Sequence, residues 1–270
     1  MIRSVVLSGT GLHTGLPSRV TVEACDGPLH LAANGVRVPL RQLSVASTHR
    51  STTVRARGGR LNVAMVEHAL AALAGLGVRE GCTLAIEGPE MPLLDGGSAG
   101  WCDAMLALGL RVGRPTIRVA SEALIGVGAS RYELSPCDGV DIGVRLELAD
   151  GRVAPEAHWA GEAHDFRARI APARTFALAD DLEELGRRGL ARHVDPTAVV
   201  VITPDAIHCA GRPFAADEPA RHKLLDLLGD MVLFGGPPSG RVRALRPGHA
   251  ANVEALRRAW EDGVFVTAEP

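Results

Sequence analysis

The stretch DEPARHKLLDLLGDMVLFGG, residues 217–236, sets ionisable and apolar residues at helical spacing. His222 and Asp226 stand four apart, one turn of a helix on the same face, and Asp230 extends that face by another turn. Leu224, Leu225, Leu227, Leu228, Val232 and Leu233 supply an apolar face, so the ionisable groups lie beside a buried surface. An imidazole and a carboxylate so placed could hold a metal ion; the plainer alternative is an ion pair on a solvated helix surface.

A second stretch, LNVAMVEHALAALAGLG (61–77), is rich in alanine and leucine and ends at Gly75 and Gly77, which suit a C-cap; it predicts a helix over 61–76. Glu67 and His68 interrupt this apolar run. Burying them unpaired would cost on the order of several kcal/mol, so they need partners, metal or otherwise.

Zinc hydrolases require three ligands, an open position for water and a nearby general base. His222 and Asp226 could provide two ligands and His68 the third. Glu67, about 100° around its helix from His68, would not reach the same metal but could reach the water. Thr175 could donate where an oxyanion develops, and His249, after a glycine at a helix start, could be a second acid. The alternative, a surface pair at His222 and Asp226 with Glu67 and His68 held elsewhere, stays open on these residues alone.

The whole chain, 270 residues with 46% hydrophobic and 22% charged, builds one large domain or two smaller ones. A formal net charge of −2 argues against general nucleic-acid binding. The N-terminal apolar run is short and broken by glycine, unlike a signal peptide, and no segment approaches the roughly 20 apolar residues of a membrane span. A cytoplasmic location is therefore expected. The five cysteines are scattered and never form C-x-x-C, so neither a disulfide framework nor a cysteine zinc site is indicated. His30, His158, His164, His193 and His208 read as surface or satisfied core histidines.

Taken in order, residues 2–8 and 18–24 read as strands flanking the glycine-rich SGTGLHTGLP, where His13 is either a turn histidine or a functional one. Short strands follow around VRVPL and STTVRAR, then CTLAIEG, the turn EMPLLDGGSAG with Asp95 as a turn aspartate, and the helix WCDAMLALGL. VGRPTIRV (112–119) reads as a connection between domains 1–113 and 114–270. Strand-like segments run to about residue 171, a helix is expected from Asp180 to Gly189, and VVVIT (199–203) is a strand. SGRVRAL is a further strand and PGHAANVEALRRAWEDG the final helix. Without regular βαβ alternation the pattern favours α+β.

The strings SGTGLHTG, MVEHALAALAGLG, EMPLLDGGSAG, APARTFAL, DEPARHKLLDLLGD and RPGHAANVEALRRA, in this order along nearly the whole chain, resemble the zinc-dependent UDP-3-O-acyl-N-acetylglucosamine deacetylases of lipid A biosynthesis. The resemblance implies two α+β domains, each a layered sheet and helix sandwich, with the active site between them. It implies a zinc ion on His68, His222 and Asp226, with Glu67 as the base that activates the hydrolytic water. His249 matches the histidine that stabilises the oxyanion and protonates the leaving amine, Asp230 the carboxylate that orients it, and Thr175 the threonine beside the oxyanion. Phe176 and Lys223 match substrate-contacting positions. The implied reaction is hydrolysis of the N-acetyl amide of an acylated UDP-N-acetylglucosamine, releasing acetate. A monomer without nucleic-acid partners is expected. Peripheral contact is the one membrane association left open.

The chain departs from the family's pattern where substrate is read. Residues 25–45 are short and lack an Arg-Thr-Asp-like string, AMVEH replaces Ser-Thr-Val-Glu-His, and VRLELADGRV lacks the Phe…His-Pro pattern near the nucleotide. These departures keep two other readings in view, a deacetylase for a different N-acetylated sugar and a non-catalytic zinc and nucleotide-sugar-binding paralogue. GLARHVDPTAVVVITPDAIH (189–208) stands where the family places an apolar passage for the acyl chain; Val199 to Ile202 serve either that passage or ordinary core.

Overall fold

The structure, a computed structural model, describes residues 3–148, 150–179 and 194–268. The helix expected from Asp180 to Gly189 lies outside the described residues.

In the first part of the chain the strands are β1 (Ser4–Thr10), β2 (Pro17–Pro28), β3 (His30–Ala33), β4 (Val36–Pro39), β5 (Ser44–Ser47), β6 (Thr53–Arg55), β7 (Asn62–Val63) and β8 (Glu80–Glu87). They are accompanied by the helices α1 (Glu67–Gly75) and α2 (Ala99–Ala107). Alternation of buried Val20 and Val22 with exposed Arg19 and Glu23 and half-buried Thr21 orients β2, which pairs antiparallel with β1 and β8. The five-stranded order is β1-β2-β8-β3-β4, with β3 parallel to β8; β5, β6 and β7 form a smaller sheet. α1 is buried along its whole length.

The second part holds β9 (Ile117–Val119), β10 (Ala123–Val127), β11 (Ser130–Ser135), β12 (Val140–Arg145), β13 (Glu156–Trp159), the short α3 (Ala163–Asp165), β14 (Thr175–Leu178), β15 (Val199–Ile202) and β16 (Ile207–His208). It closes with α4 (Glu218–Val232), β17 (Gly240–Leu245), α5 (His249–Glu261) and β18 (Phe265–Thr267). Its main sheet runs β10-β11-β17-β12-β13, with β12 and β17 parallel; β14-β15-β16 and β18-β9 are separate. Sheets and helices therefore stack in layers, the α+β sandwich arrangement expected from the sequence. No helix among the described residues is long and apolar enough to cross a membrane.

Two local expectations differ. α1 begins at Glu67, not residue 61, because Asn62 and Val63 pair with β6 and Met65 turns the chain into the left-handed region (φ 59°) immediately before the helix. The strand-like run is also interrupted: after α3, Phe166–Ile170 continues as a π turn whose Phe166 and Ile170 are fully buried. Phe166 packs onto α1 at Gly75, where any Cβ would collide with its ring.

α1 and α4 cross at the centre of the molecule through another glycine. A Cβ at Gly229 of α4 would overlap the Glu67 carbonyl of α1, so only glycine lets the two backbones meet. Glu67 and His68 are thereby brought beside His222 and Asp226.

Candidate metal centre and active site

α4 starts with Pro219 near its N-terminus and buries His222, Asp226 and Asp230 among Leu224, Leu225, Leu227 and Leu228. His222 Nε2 lies 3.4 Å from Asp226 Oδ1, and His68 Nε2 lies 3.8 Å from the same oxygen. The two imidazole rings meet edge to face at 5.1 Å between centroids. One ligand atom from each of these three residues lies within 4.8 Å of the other two.

The surrounding hydrogen bonds leave these atoms for an ion. His222 donates Nδ1–H to the Ala173 carbonyl at 3.0 Å, which fixes the tautomer and frees the Nε2 lone pair. Asp226 Oδ2 accepts from Lys223 Nζ at 2.7 Å, whereas Asp226 Oδ1 is buried with no donor. A buried carboxylate oxygen facing two imidazole nitrogens and lacking a proton donor fits a divalent cation such as zinc.

Protonation favours the same outcome. Burial, with His222 next to it, lowers His68 to about 3, and burial likewise lowers His222, so both are neutral ligands at pH 7. Burial works against ionisation of Asp226, but Lys223 and then His222 outweigh it and hold the carboxyl below its usual range.

A second group adjoins the first. Glu67 is buried, accepts the Thr52 backbone N–H on Oε2 at 3.0 Å, and places Oε1 3.7 Å from His249 Nε2. His249 stands at the start of α5 after Gly248 and donates Nδ1–H to Asp230 Oδ2 at 3.0 Å. Asn252 Nδ2 donates to the same oxygen at 2.8 Å, and the Tyr132 hydroxyl donates to Asn252 Oδ1 at 2.6 Å. Burial raises Glu67 to about 8, with His249 opposing. Burial opposes the charge on His249, but Asp230, Asp226 and Glu67 more than compensate and raise it to about 10.

Both groups open into a cavity of about 520 Å³. Thr175 and Phe176, the first residues of β14, line it; Thr175 N–H is anchored on the Gly96 carbonyl at 2.8 Å. The Phe176 ring lies 6.3 Å from that of His222, and Lys223 Nζ stands 5.7 Å over it. β15 divides its side chains: Val199 and Val201 face the cavity, while Val200 and Ile202 are buried in core with Val153. All nine residues singled out from the sequence, Glu67, His68, Thr175, Phe176, His222, Lys223, Asp226, Asp230 and His249, thus lie in one connected site.

A family model for UDP-3-O-acyl N-acetylglycosamine deacetylases matches residues 1–261. The chain belongs to this family. Relatives named UDP-3-O-acyl-N-acetylglucosamine deacetylase include one from Anaeromyxobacter dehalogenans, 32% identical over 270 residues, covering 96% of this chain and 86% of the relative. Another, from Anaeromyxobacter sp. strain Fw109-5, is 33% identical over 269 residues (96% and 87%). One from Brucella melitensis is 31% identical over 273 residues (96% and 94%).

Further residues of this family member line the cavity or support it: Thr52, Glu90 and His208 carry no clear signal in the sequence, whereas His13 reads there as either a turn histidine or a functional one. Thr52, fully buried, touches Glu67, Asp230 and His249. His13 lines the cavity with a buried Nε2 that has no protein partner. Glu90, fully buried, holds the His13 turn by accepting the His13 and Thr14 backbone N–H groups, both at 2.9 Å. His208, read from sequence as an ordinary surface or core histidine, also lines the cavity.

Proposed function

We propose that this chain is a zinc-dependent amidohydrolase that removes the N-acetyl group of a UDP-3-O-acyl-N-acetylglucosamine, releasing acetate in lipid A biosynthesis. The observation that carries the reading is the donorless buried Asp226 Oδ1 facing His68 and His222, with Glu67 and His249 at the edge of the same cavity. Zinc, when bound by His68, His222 and Asp226, supplies a Lewis acid that lowers the pKa of water and polarises a carbonyl.

The chain's own residues supply the rest. The ionised form of Glu67, which burial disfavours but the charged His249 opposite it and a bound cation would favour, takes the proton of the attacking water, its carboxylate aimed by the Thr52 amide. His249 keeps its protonated Nε2 toward the cluster and delivers that proton to the leaving nitrogen, while Asp230 fixes its tautomer and charge. Thr175 stands where the tetrahedral oxyanion develops. Lys223 and Phe176 receive polar and ring portions of the substrate, and Val199, Val201, Ala177 and Leu12 offer apolar wall to an acyl chain.

In this reading the units are 1–113, which contributes Glu67 and His68, and 114–270, which contributes Thr175, His222, Asp226 and His249. The protein acts in the cytoplasm as a monomer and without nucleic acid.

The test is acetate release over a panel of acylated and non-acylated UDP-sugars, with zinc content measured alongside. Turnover of the acylated UDP-N-acetylglucosamine that collapses in Glu67→Ala supports the proposal. Efficient turnover without the acyl chain redirects it to another N-acetylated sugar. Zinc-loaded protein that binds nucleotide sugar yet releases no acetate makes it a binding paralogue.

A further inference from the structure

The residue that joins the candidate base to the candidate acid is neither of them. Thr52 precedes β6 and is fully buried. Its backbone grips the entry to α1 on both groups: its N–H donates to Glu67 Oε2 at 3.0 Å, and its carbonyl accepts the Val66 N–H at 3.2 Å. Its hydroxyl points the other way, donating to Asp230 Oδ1 at 2.6 Å and lying 3.2 Å from His249 Nδ1.

A hydroxyl has one proton and two lone pairs. The short bond to Asp230 uses the proton, so the His249 Nδ1–H is shared between Asp230 Oδ2 and the threonine oxygen. Thr52, Asp230 and His249 thus close a ring in which every polar atom has a complementary partner. That ring joins positions 178 and 197 residues apart in the chain. Because the same residue aims Glu67 through its amide, any shift of Thr52 moves the carboxylate and the imidazole together.

We infer that Thr52 is a positioning residue that sets the Glu67 carboxylate and the His249 imidazole at a fixed separation across the reacting amide. The inference rests on the deacetylase reading. It is specific about which group matters: the hydroxyl serves Asp230 and His249, and the amide serves Glu67. Thr52→Val keeps shape and amide but removes the hydroxyl; Thr52→Ser keeps both.

The experiment is steady-state kinetics of the zinc-loaded wild type, Thr52→Val and Thr52→Ser, with zinc content and thermal midpoint recorded for each. A hydrogen bond to a charged group is worth about 10- to 100-fold when its loss falls on the rate. The expected result is that fall in kcat for Thr52→Val, with KM and zinc stoichiometry unchanged, and recovery to within a few-fold in Thr52→Ser. Wild-type kcat in Thr52→Val overturns the inference, as does an equal loss in Thr52→Ser.

A readout independent of turnover separates this from failure of the deacetylase reading. In the zinc-loaded protein the His249 Nδ1–H resonance, assigned by its absence in His249→Ala, is expected to shift in Thr52→Val and to be kept in Thr52→Ser. If the wild type releases no acetate, the deacetylase reading fails; an unshifted resonance in Thr52→Val then overturns the positioning role as well.

Discussion

Gly229 of α4 lies flat against the Glu67 carbonyl of α1, with no room for a Cβ between them. The approach decides whether two halves of a site, each set by its own helix, meet at bonding distance. In a free helix, Gly→Ala would stabilise by about 1 kcal/mol. Here the added methyl is forced into backbone, where overpacking costs about 1–3 kcal/mol. Gly229→Ala is expected to lower the thermal midpoint, by roughly 2–4 °C per kcal/mol lost in a chain of this size. It should also weaken zinc retention, since His68 moves with Glu67. A rise in midpoint would mean that the helices are free to separate.

Removing the anion at the centre tests the metal assignment. Asp226→Asn keeps the volume but replaces the donorless Oδ1 and removes the charge that Lys223, His222, His249 and His68 face. Zinc retained after desalting should fall from stoichiometric to near none. In the wild type, added zinc at a thousandfold excess over its Kd should stabilise by about 4 kcal/mol, an increment absent in the variant. Chelation should abolish acetate release and zinc restore it.

How much of this could be read beforehand depended on where the partners lie in the chain. His222 and Asp226 were legible because a helix converts a spacing of four into one face. Glu67 and His68 stood out because two ionisable residues in an apolar run demand partners. Thr52 sits in an ordinary polar string and acquires its contacts only when α4 and α5 fold against it. The late start of α1 was equally hidden, since nothing in LNVAM announces a left-handed methionine. β15 turns one face, Val199 and Val201, to the cavity and the other, Val200 and Ile202, to the core, a division that its unbroken apolar string does not announce.

Alkaline loss of activity should trace to His249. Asp230 is the foremost group holding its charge, ahead of Asp226 and Glu67, and together they raise it to about 10 against the cost of burial. A zinc ion on Asp226 cancels part of that support, so the descending limb of kcat/KM should lie below that value but above the usual histidine range. Asp230→Asn removes the leading contribution, and the limb should move to lower pH. The linkage has the same sign: a pKa raised in the fold stabilises below the unfolded value near 6.5 and is lost as pH rises through the folded one. A pH–rate profile from pH 5 to 11 on both proteins checks this, and an unmoved limb would assign the acid elsewhere.

The Arg174–Glu218 pair should control stability at acid pH and, through it, the ligand His222. Arg174 and Glu218 are almost fully buried and joined by two side-chain bonds, Nε to Oε1 at 2.8 Å and Nη2 to Oε2 at 3.0 Å, and by the Arg174 backbone N–H to Oε1 at 3.1 Å. Burial opposes the charge on Glu218, but Arg174 and Arg212 outweigh it and lower its pKa. A depressed carboxyl stabilises above the unfolded value near about 4.3, and that contribution is lost as pH falls through the folded one. Glu218→Gln strands a buried guanidinium and should cost about 3–5 kcal/mol at pH 7. Thermal midpoints from pH 3 to 7 should show a constant gap between wild type and variant above about pH 5, narrowing below about pH 4. Replacing both partners, Arg174→Met with Glu218→Leu, should recover much of the loss, because an apolar pair leaves no buried charge unpaired; Arg212, the other partner of Glu218, is exposed to solvent. Zinc affinity should separate packing from positioning. Ala173, the neighbour of Arg174, accepts the His222 Nδ1–H, so the single variant should weaken zinc more than the double one does.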